Sequence, residues 1–193
     1  MGQGQQDDRR LQALAGNIPD KHHSHLRATT SGSINGRAPP PLDQWNPTYC
    51  GDVDMAIAAD GTWYHDGSPI RRKELWQLFA GILRREQDGD YYLVTPVEKC
   101  RVAVALHPLI IIDFEVGTEQ DDGIIWAYLN AGGQFPVSLT YPLRLEPKAS
   151  GAAYIELTHG LTALCSRAAW YRLVALADAE YRVCSAGAMF SLA

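Results

Sequence analysis

The chain has 193 residues, 46% of them hydrophobic and 20% charged, with a formal net charge of −5. That composition can bury a real core, in one domain or two small ones, and it excludes disorder as the dominant state. The acidic balance lacks the electrostatic footprint that a long nucleic acid requires, and no apolar run approaches the ~20 residues of a membrane span, so neither partner is expected.

The N-terminus, Met1-Gly2-Gln3-Gly4, has neither the basic start nor the apolar stretch of a secretory signal. Gln6 stands where N-myristoylation of Gly2 wants Ser or Thr, so the chain reads as cytoplasmic. Residues 1–43 are rich in Gln, Ser, Thr, Gly and Pro and close on Pro39-Pro40-Pro41. Their apolar periodicity is confined to Leu11–Leu14, with at most one fraying helical turn near residues 8–15. Such a segment buries too little surface to offset its ordering entropy, so 1–43 is expected to be a disordered tail, and residues 1–40 are expected to be removable with little loss of stability. His22, His23 and His25 fall within it and are expected to be solvated, because a metal site needs rigid geometry. The tail holds Arg9, Arg10, Lys21, Arg27 and Arg37 against Asp7, Asp8, Asp20 and Asp43, so the remainder is more acidic than the whole.

Order is expected from Trp45, and residues 44–88 read as an N-terminal hairpin-helix domain. Asp54 to Ala58 is a strand, Asp60-Gly61 a turn, and Thr62 to His65 a returning strand. Asp66-Gly67 makes a second turn. After Ser68-Pro69-Ile70, the spacing of Leu75, Leu78, Phe79, Ile82 and Leu83 predicts a helix ending near Arg85.

Residues 89–193 read as a β-rich C-terminal domain. Tyr91 to Thr95 is a short strand. Val97–Leu106 and the stretch to Val116 alternate so that a hairpin about His107 pairs Val102 with Ile112, Arg101 with Asp113 and Lys99 with Glu115, burying Cys100, Val104, Ile110 and Phe114. Further strands are expected at Ile124–Leu129 and Tyr141–Leu145, near a Gly132-Gly133 loop. The first pattern then returns: Tyr154–Thr158, a His159-Gly160 turn, Leu161–Leu164, and Ser166 capping a helix with Trp170, Leu173, Val174 and Ala177 at helical spacing. This is an internal duplication, with Arg167 falling at Arg72 and Trp170 at Leu75. A last strand is expected from Arg182 to Phe190. Cys50, Cys100, Cys165 and Cys184 form no C-x-x-C pair, and Cys100 and Cys165 read as small core residues.

The fold class is therefore α+β, with hairpin-plus-helix units repeated around antiparallel sheet. Pro40-Pro41-Leu42, Trp45-Asn46-Pro47, Cys50-Gly51-Asp52-Val53-Asp54-Met55 and Asp60-Gly61-Thr62-Trp63-Tyr64 follow one another. Gly67-Ser68-Pro69-Ile70, Leu83-Arg84-Arg85-Glu86 and the run Tyr92 to Lys99 continue the series. This set resembles a bacterial family catalogued as domain of unknown function 1285, over about residues 40–193. The resemblance implies a duplicated core, a C-terminal part similar to pleckstrin-homology-like folds, and a signalling role through a nucleotide-like ligand at the domain interface. Asn130-Ala131-Gly132-Gly133, Tyr141 and Arg167-Ala168-Ala169 depart from the family pattern.

No nucleophile elbow, phosphate-binding loop or zinc motif occurs, and no catalytic residue, metal or cofactor is expected. Arg71-Arg72-Lys73 is the informative run, since three cations in the first turn of a helix oppose its dipole yet offer an anion site. Pairing with Asp52, Asp54 or Asp66 competes with that reading. Arg71, Arg72 and Lys73, with Trp63, Lys99 and Arg167, are the candidate ligand contacts, and Trp63 or Tyr64 could equally be core. Three functions stay open: a non-catalytic module for a small anionic ligand, a protein-interaction adaptor, or a metal-dependent phosphohydrolase on Asp52 and Asp54.

Overall fold

The computed structural model describes Gly16, residues 32–117 and residues 123–193. The turn expected near residues 8–15 and His22, His23 and His25 lie outside the described residues. Those described form two units, one of residues 38–108 and one of residues 32–37 with 109–193.

The first unit starts from β1 (Tyr49–Ile57), where Val53, Met55 and Ile57 are buried and Asp52 and Asp54 exposed. That period of two is the mark of a strand with one face in a core. There follow β2 (Trp63–His65), β3 (Ser68–Pro69), helix α1 (Lys73–Ala80), β4 (Leu83–Arg85), β5 (Tyr91–Val94) and β6 (Lys99–Val104). Asp66 and Gly67 both take positive φ (48° and 67°), so the expected turn joins β2 to β3. Pro69 is accommodated because β3 is an edge strand. The sheet order is β3-β2-β1-β6-β5-β4. Each trio is an antiparallel meander, and the two trios join along β1 and β6, which run parallel. The core holds Trp63 stacked on Phe79 of α1 (centroids 6.4 Å apart), with Leu83, Leu93 and Cys100 also buried.

The second unit repeats this plan. It comprises β7 (Leu109–Val116), β8 (Ile125–Leu129), β9 (Gln134–Pro136), β10 (Leu143–Glu146), β11 (Ala152–Glu156) and β12 (Thr162–Cys165). Helix α2 (Arg167–Ala175) and a hairpin of β13 (Arg182–Ser185) and β14 (Ala188–Ser191) complete it. The order β9-β8-β7-β12-β11-β10, with β7 and β12 parallel, is the first sheet's order with each strand advanced by six. The helices occupy different places in that plan. Helix α1 lies between the two trios, whereas α2 follows the second trio and packs on β7. Ser166 caps α2 as expected, its Oγ accepting from the Ala169 N–H at 3.2 Å. Among the described residues no helix is long and apolar enough to cross a membrane.

Several expectations are corrected. The sheets are mixed rather than antiparallel. The hairpin about His107 does not form: β6 pairs with β1 and β5, β7 with β8 and β12, and the units divide at Pro108 instead of at residue 88. Alternation fixes which face a side chain takes and leaves the neighbouring strand open. Arg101 meets Asp52 and Asp90, Lys99 meets Glu86, and Asp113 meets Arg172, so opposite charges still match, with other partners. Ile112 is 51% exposed, at a register shift that breaks the phase of β7.

Helix α1 stops at Ala80 because Gly81 follows and Leu83 enters a strand, so Ile82 and Leu83 are buried without being helical. The terminal strand is a hairpin that turns at Ala186 and Gly187, both at positive φ. The duplication is real, yet β11 and β12 correspond to β5 and β6, so Arg167 and Arg72 are not equivalent positions. The tail is also shorter than expected. Ser33, Ile34 and Leu42 are buried, and Arg84 donates to the Leu42 and Trp45 carbonyls at 2.7 and 3.0 Å.

Candidate functional site

The β2–β3 hairpin delivers the chain to α1. Ile70 N–H donates to the Trp63 carbonyl at 2.8 Å, and Arg72, in extended conformation, is the N-cap residue without a side-chain cap. Arg72 and Lys73 therefore straddle the helix start, and Arg71 precedes it. All three are exposed, and among the described residues none of their side chains makes an ion pair or hydrogen bond. Glu74 is the acidic group of the first turn. The competing pairing with Asp52, Asp54 or Asp66 is not made.

Six other cations, Arg84, Lys99, Arg101, Arg144, Arg172 and Arg182, meet carboxylates, whereas Arg85 and Arg167 lie on tyrosine rings. Across the first sheet Arg84, Tyr92, Arg101 and Asp52 stand in one row. Arg101 grips Asp52 with two bonds (2.9 and 2.7 Å) and reaches Asp90 at 3.2 Å, while the Tyr49 hydroxyl donates to the same Asp52 carboxylate. The Arg101 bonds, then that of Tyr49, hold the Asp52 carboxyl below its ordinary value, and the bond to Asp52 raises the Tyr49 phenol. Tyr92 donates to Asp88 at 2.8 Å, which pushes its phenol up to about 12. Lys99 lies 4.9 Å from the centroid of that ring and 3.3 Å from Glu86, which Arg84 also contacts at 2.5 Å. Burial pushes the Glu86 carboxyl up, but Arg84 and Lys99 outweigh it and hold it low.

The predicted contacts are thus divided. Arg71, Arg72 and Lys73 stand exposed at the start of α1, with no ion pair or hydrogen bond from their side chains to another described residue. Lys99 is engaged by Glu86. Trp63 is 2% exposed and belongs to the core, so it cannot serve as a stacking platform. Arg167 is in the second unit, on Tyr171, with its guanidinium 5.9 Å from the ring centroid and 3.4 Å from the hydroxyl. The paired row of Asp52, Arg101 and Tyr49 was missed as a unit; the bulged register of β1 that brings Asp52 beside Arg101 leaves no periodic trace in the sequence.

Both oxygens of Asp52 accept hydrogen bonds from Arg101, and one also accepts from Tyr49, while Asp54 is exposed on the same strand. Among the described residues no cluster of three or more His, Cys, Asp and Glu is placed to hold a metal. Burial pushes the Cys165 thiol up to about 12, away from thiolate chemistry.

Comparison with known proteins decides the family. A model described as "Domain of unknown function (DUF1285), N-terminal domain" matches residues 40–105, and one described as "Protein of unknown function (DUF1285), C-terminal domain" matches residues 108–192. The chain belongs to the DUF1285 family. The gap between the two models, residues 106–107, lies next to the division seen at Pro108. A crystal structure of a DUF1285 family protein from Silicibacter pomeroyi DSS-3 is 34% identical, covers 94% of this chain and 93% of its own, and has a TM-score of 0.77. Another, a DUF1285 family protein from Shewanella baltica OS155, is 31% identical, covers 64% of this chain and 91% of its own, and has a TM-score of 0.54. No curated protein matches the chain.

Proposed function

We propose that this DUF1285 protein is a non-catalytic binding module for a small anionic, nucleotide-like ligand, acting in cytoplasmic signalling. One observation carries the reading. Arg71, Arg72 and Lys73 stay exposed and meet no carboxylate among the described residues, while Arg84, Lys99, Arg101, Arg144, Arg172 and Arg182 each meet one. Cations against the positive end of a helix cost ~0.3–1 kcal/mol each at exposed sites, and an arriving phosphate relieves that cost. Guanidinium groups add paired hydrogen bonds to phosphate oxygens. Trp63 has no part in this reading, and Lys99 would have to leave Glu86 to join it.

A thermal-shift screen of nucleotides, with and without magnesium, tests the reading. Stabilisation by a nucleotide that Arg72→Glu abolishes is the expected result. Binding indifferent to the charge reversal sinks it, and magnesium-dependent turnover replaces it with an enzyme. A second reading, an adaptor with a pleckstrin-like C-terminal surface, draws on exposed Tyr171, Leu176, Tyr181 and Met189 in the second unit. Absence of any nucleotide shift, with a partner bound through those residues, favours it.

A further inference from the structure

Residues 32–37 fall outside both family models, yet they are built into the second unit. Ser33 forms an antiparallel bridge with Gln134 of β9, the edge strand of its sheet. Gly32 N–H donates to the Gln134 carbonyl at 3.2 Å, and Gly133 N–H donates to the Ile34 carbonyl at 3.1 Å. Ser33 is 1% exposed and Ile34 8%, although their neighbours are Gly, Ser and Asn. The receiving edge is shaped for a backbone. A Cβ on Gly133 would stand 1.6 Å from the Ser33 carbonyl oxygen, and one on Gly32 would meet the Tyr141 hydroxyl at 3.0 Å. Tyr141 is held edge-on to Phe135, 5.0 Å between centroids. Within the segment, the Ser33 hydroxyl donates to the Arg37 carbonyl at 2.5 Å, and Gly36 takes φ +72° to close the bend. Ala38-Pro39-Pro40-Pro41 follows; its prolines have no N–H to extend a ladder, so the pairing ends there.

We propose that the β9 edge is a strand-docking site whose resident ligand is the chain's own segment 32–37, held as a displaceable strap. The site takes a short extended peptide whose backbone runs against Gly133 and which buries a Ser-Ile pair. Recognition is by main-chain hydrogen bonds plus one apolar anchor, the mode of strand addition to a sheet edge. While docked, the strap covers an edge that would otherwise offer unpaired N–H and C=O groups to another chain.

The test uses the full chain and a fluorescent synthetic peptide of residues 30–38, followed by anisotropy. In Ile34→Asp, a buried carboxylate expels the strap, and the peptide should bind at least ~tenfold more tightly than to wild type, where the tethered strap competes at high effective concentration. Adding Gly133→Val to Ile34→Asp should abolish that binding. Equal binding to wild type and Ile34→Asp overturns the proposal, as does binding that survives Gly133→Val, or no binding to a folded Ile34→Asp protein. If Ile34→Asp does not fold, amide exchange on wild type decides. Protection of the Gly32 amide that is real but lost well before that of Leu129, whose N–H bonds the Gly133 carbonyl at 2.8 Å, supports a displaceable strap. Unprotected exchange at Gly32 overturns it. A wild-type dimer that Ile34→Asp dissociates also overturns it, in favour of straps exchanged between two copies.

Discussion

At the residue scale, the charged row on the first sheet has a defined pH signature. Tyr92 donates to Asp88, and its phenol is raised from the ordinary value of 10.0 to about 12. A raised folded value stabilises the native state fully below the unfolded value and loses that contribution as pH climbs through the folded one. Tyr92 should therefore ionise late in a titration followed by phenolate absorbance, and its share of stability should fade between pH 10 and 12. Asp88→Asn should bring that ionisation back toward the ordinary range; an unchanged titration would show that the hydrogen bond is not its cause. Asp52 runs the opposite way. Its carboxyl is lowered by Arg101 and Tyr49, so what it contributes is present above the unfolded value of about 3.8 and disappears as pH falls through the lower folded value. Asp52 is exposed, so the acid limb of a melting-temperature profile should change only slightly in Asp52→Asn.

Elements give predictions of larger size. Leu42 is 1% exposed in a turn of 3₁₀ helix tied to Arg84, so Leu42→Ala should cost ~2–5 kcal/mol in denaturant unfolding, the range for buried leucine truncations. A mobile tail through residue 43 would have predicted almost nothing. Ser166→Ala removes the cap bond to Ala169 and should cost ~1 kcal/mol by the same measurement. That cap was legible in the sequence because capping depends on near neighbours alone. The Asp66-Gly67 turn was legible for the same reason, since positive φ suits those residue types. The end of α1 was not. Ile82 and Leu83 continue the helical spacing, but they reach the core as a turn and a strand after Gly81, and apolar spacing cannot tell these apart over so short a run.

For the molecule as a whole, the two units share one strand order, and their helices sit at different points of it. A ligand recognised by the start of α1 should therefore not be recognised by the start of α2. Hydrogen exchange in saturating nucleotide should protect amides around Ser68 to Leu75 and leave those from Arg167 to Tyr171 unchanged. Matched protection at both helices would mean that the sequence correspondence of Arg72 with Arg167 has functional content. In the same experiment Arg72→Glu should leave the unliganded exchange pattern intact or slightly firmer, because it turns an adverse dipole interaction into a favourable one.

Local grammar is legible along the chain: strands with one buried face, turns at Asp60-Gly61, Asp66-Gly67 and His159-Gly160, the Ser166 cap, the cationic Arg71-Arg72-Lys73 run, and membership of a family with two domains. These rest on interactions among residues close along the chain. Tertiary structure alone decided which strands are neighbours, where the units divide, and that Ser33 and Ile34 close an edge formed around Gln134. The hairpin about His107 shows why: Arg101 opposite Asp113 satisfied alternation and charge as well as Arg101 opposite Asp52 does. A side-chain period of two selects a face, and only the entropy and packing of the whole chain select the partner on the other side of the ladder.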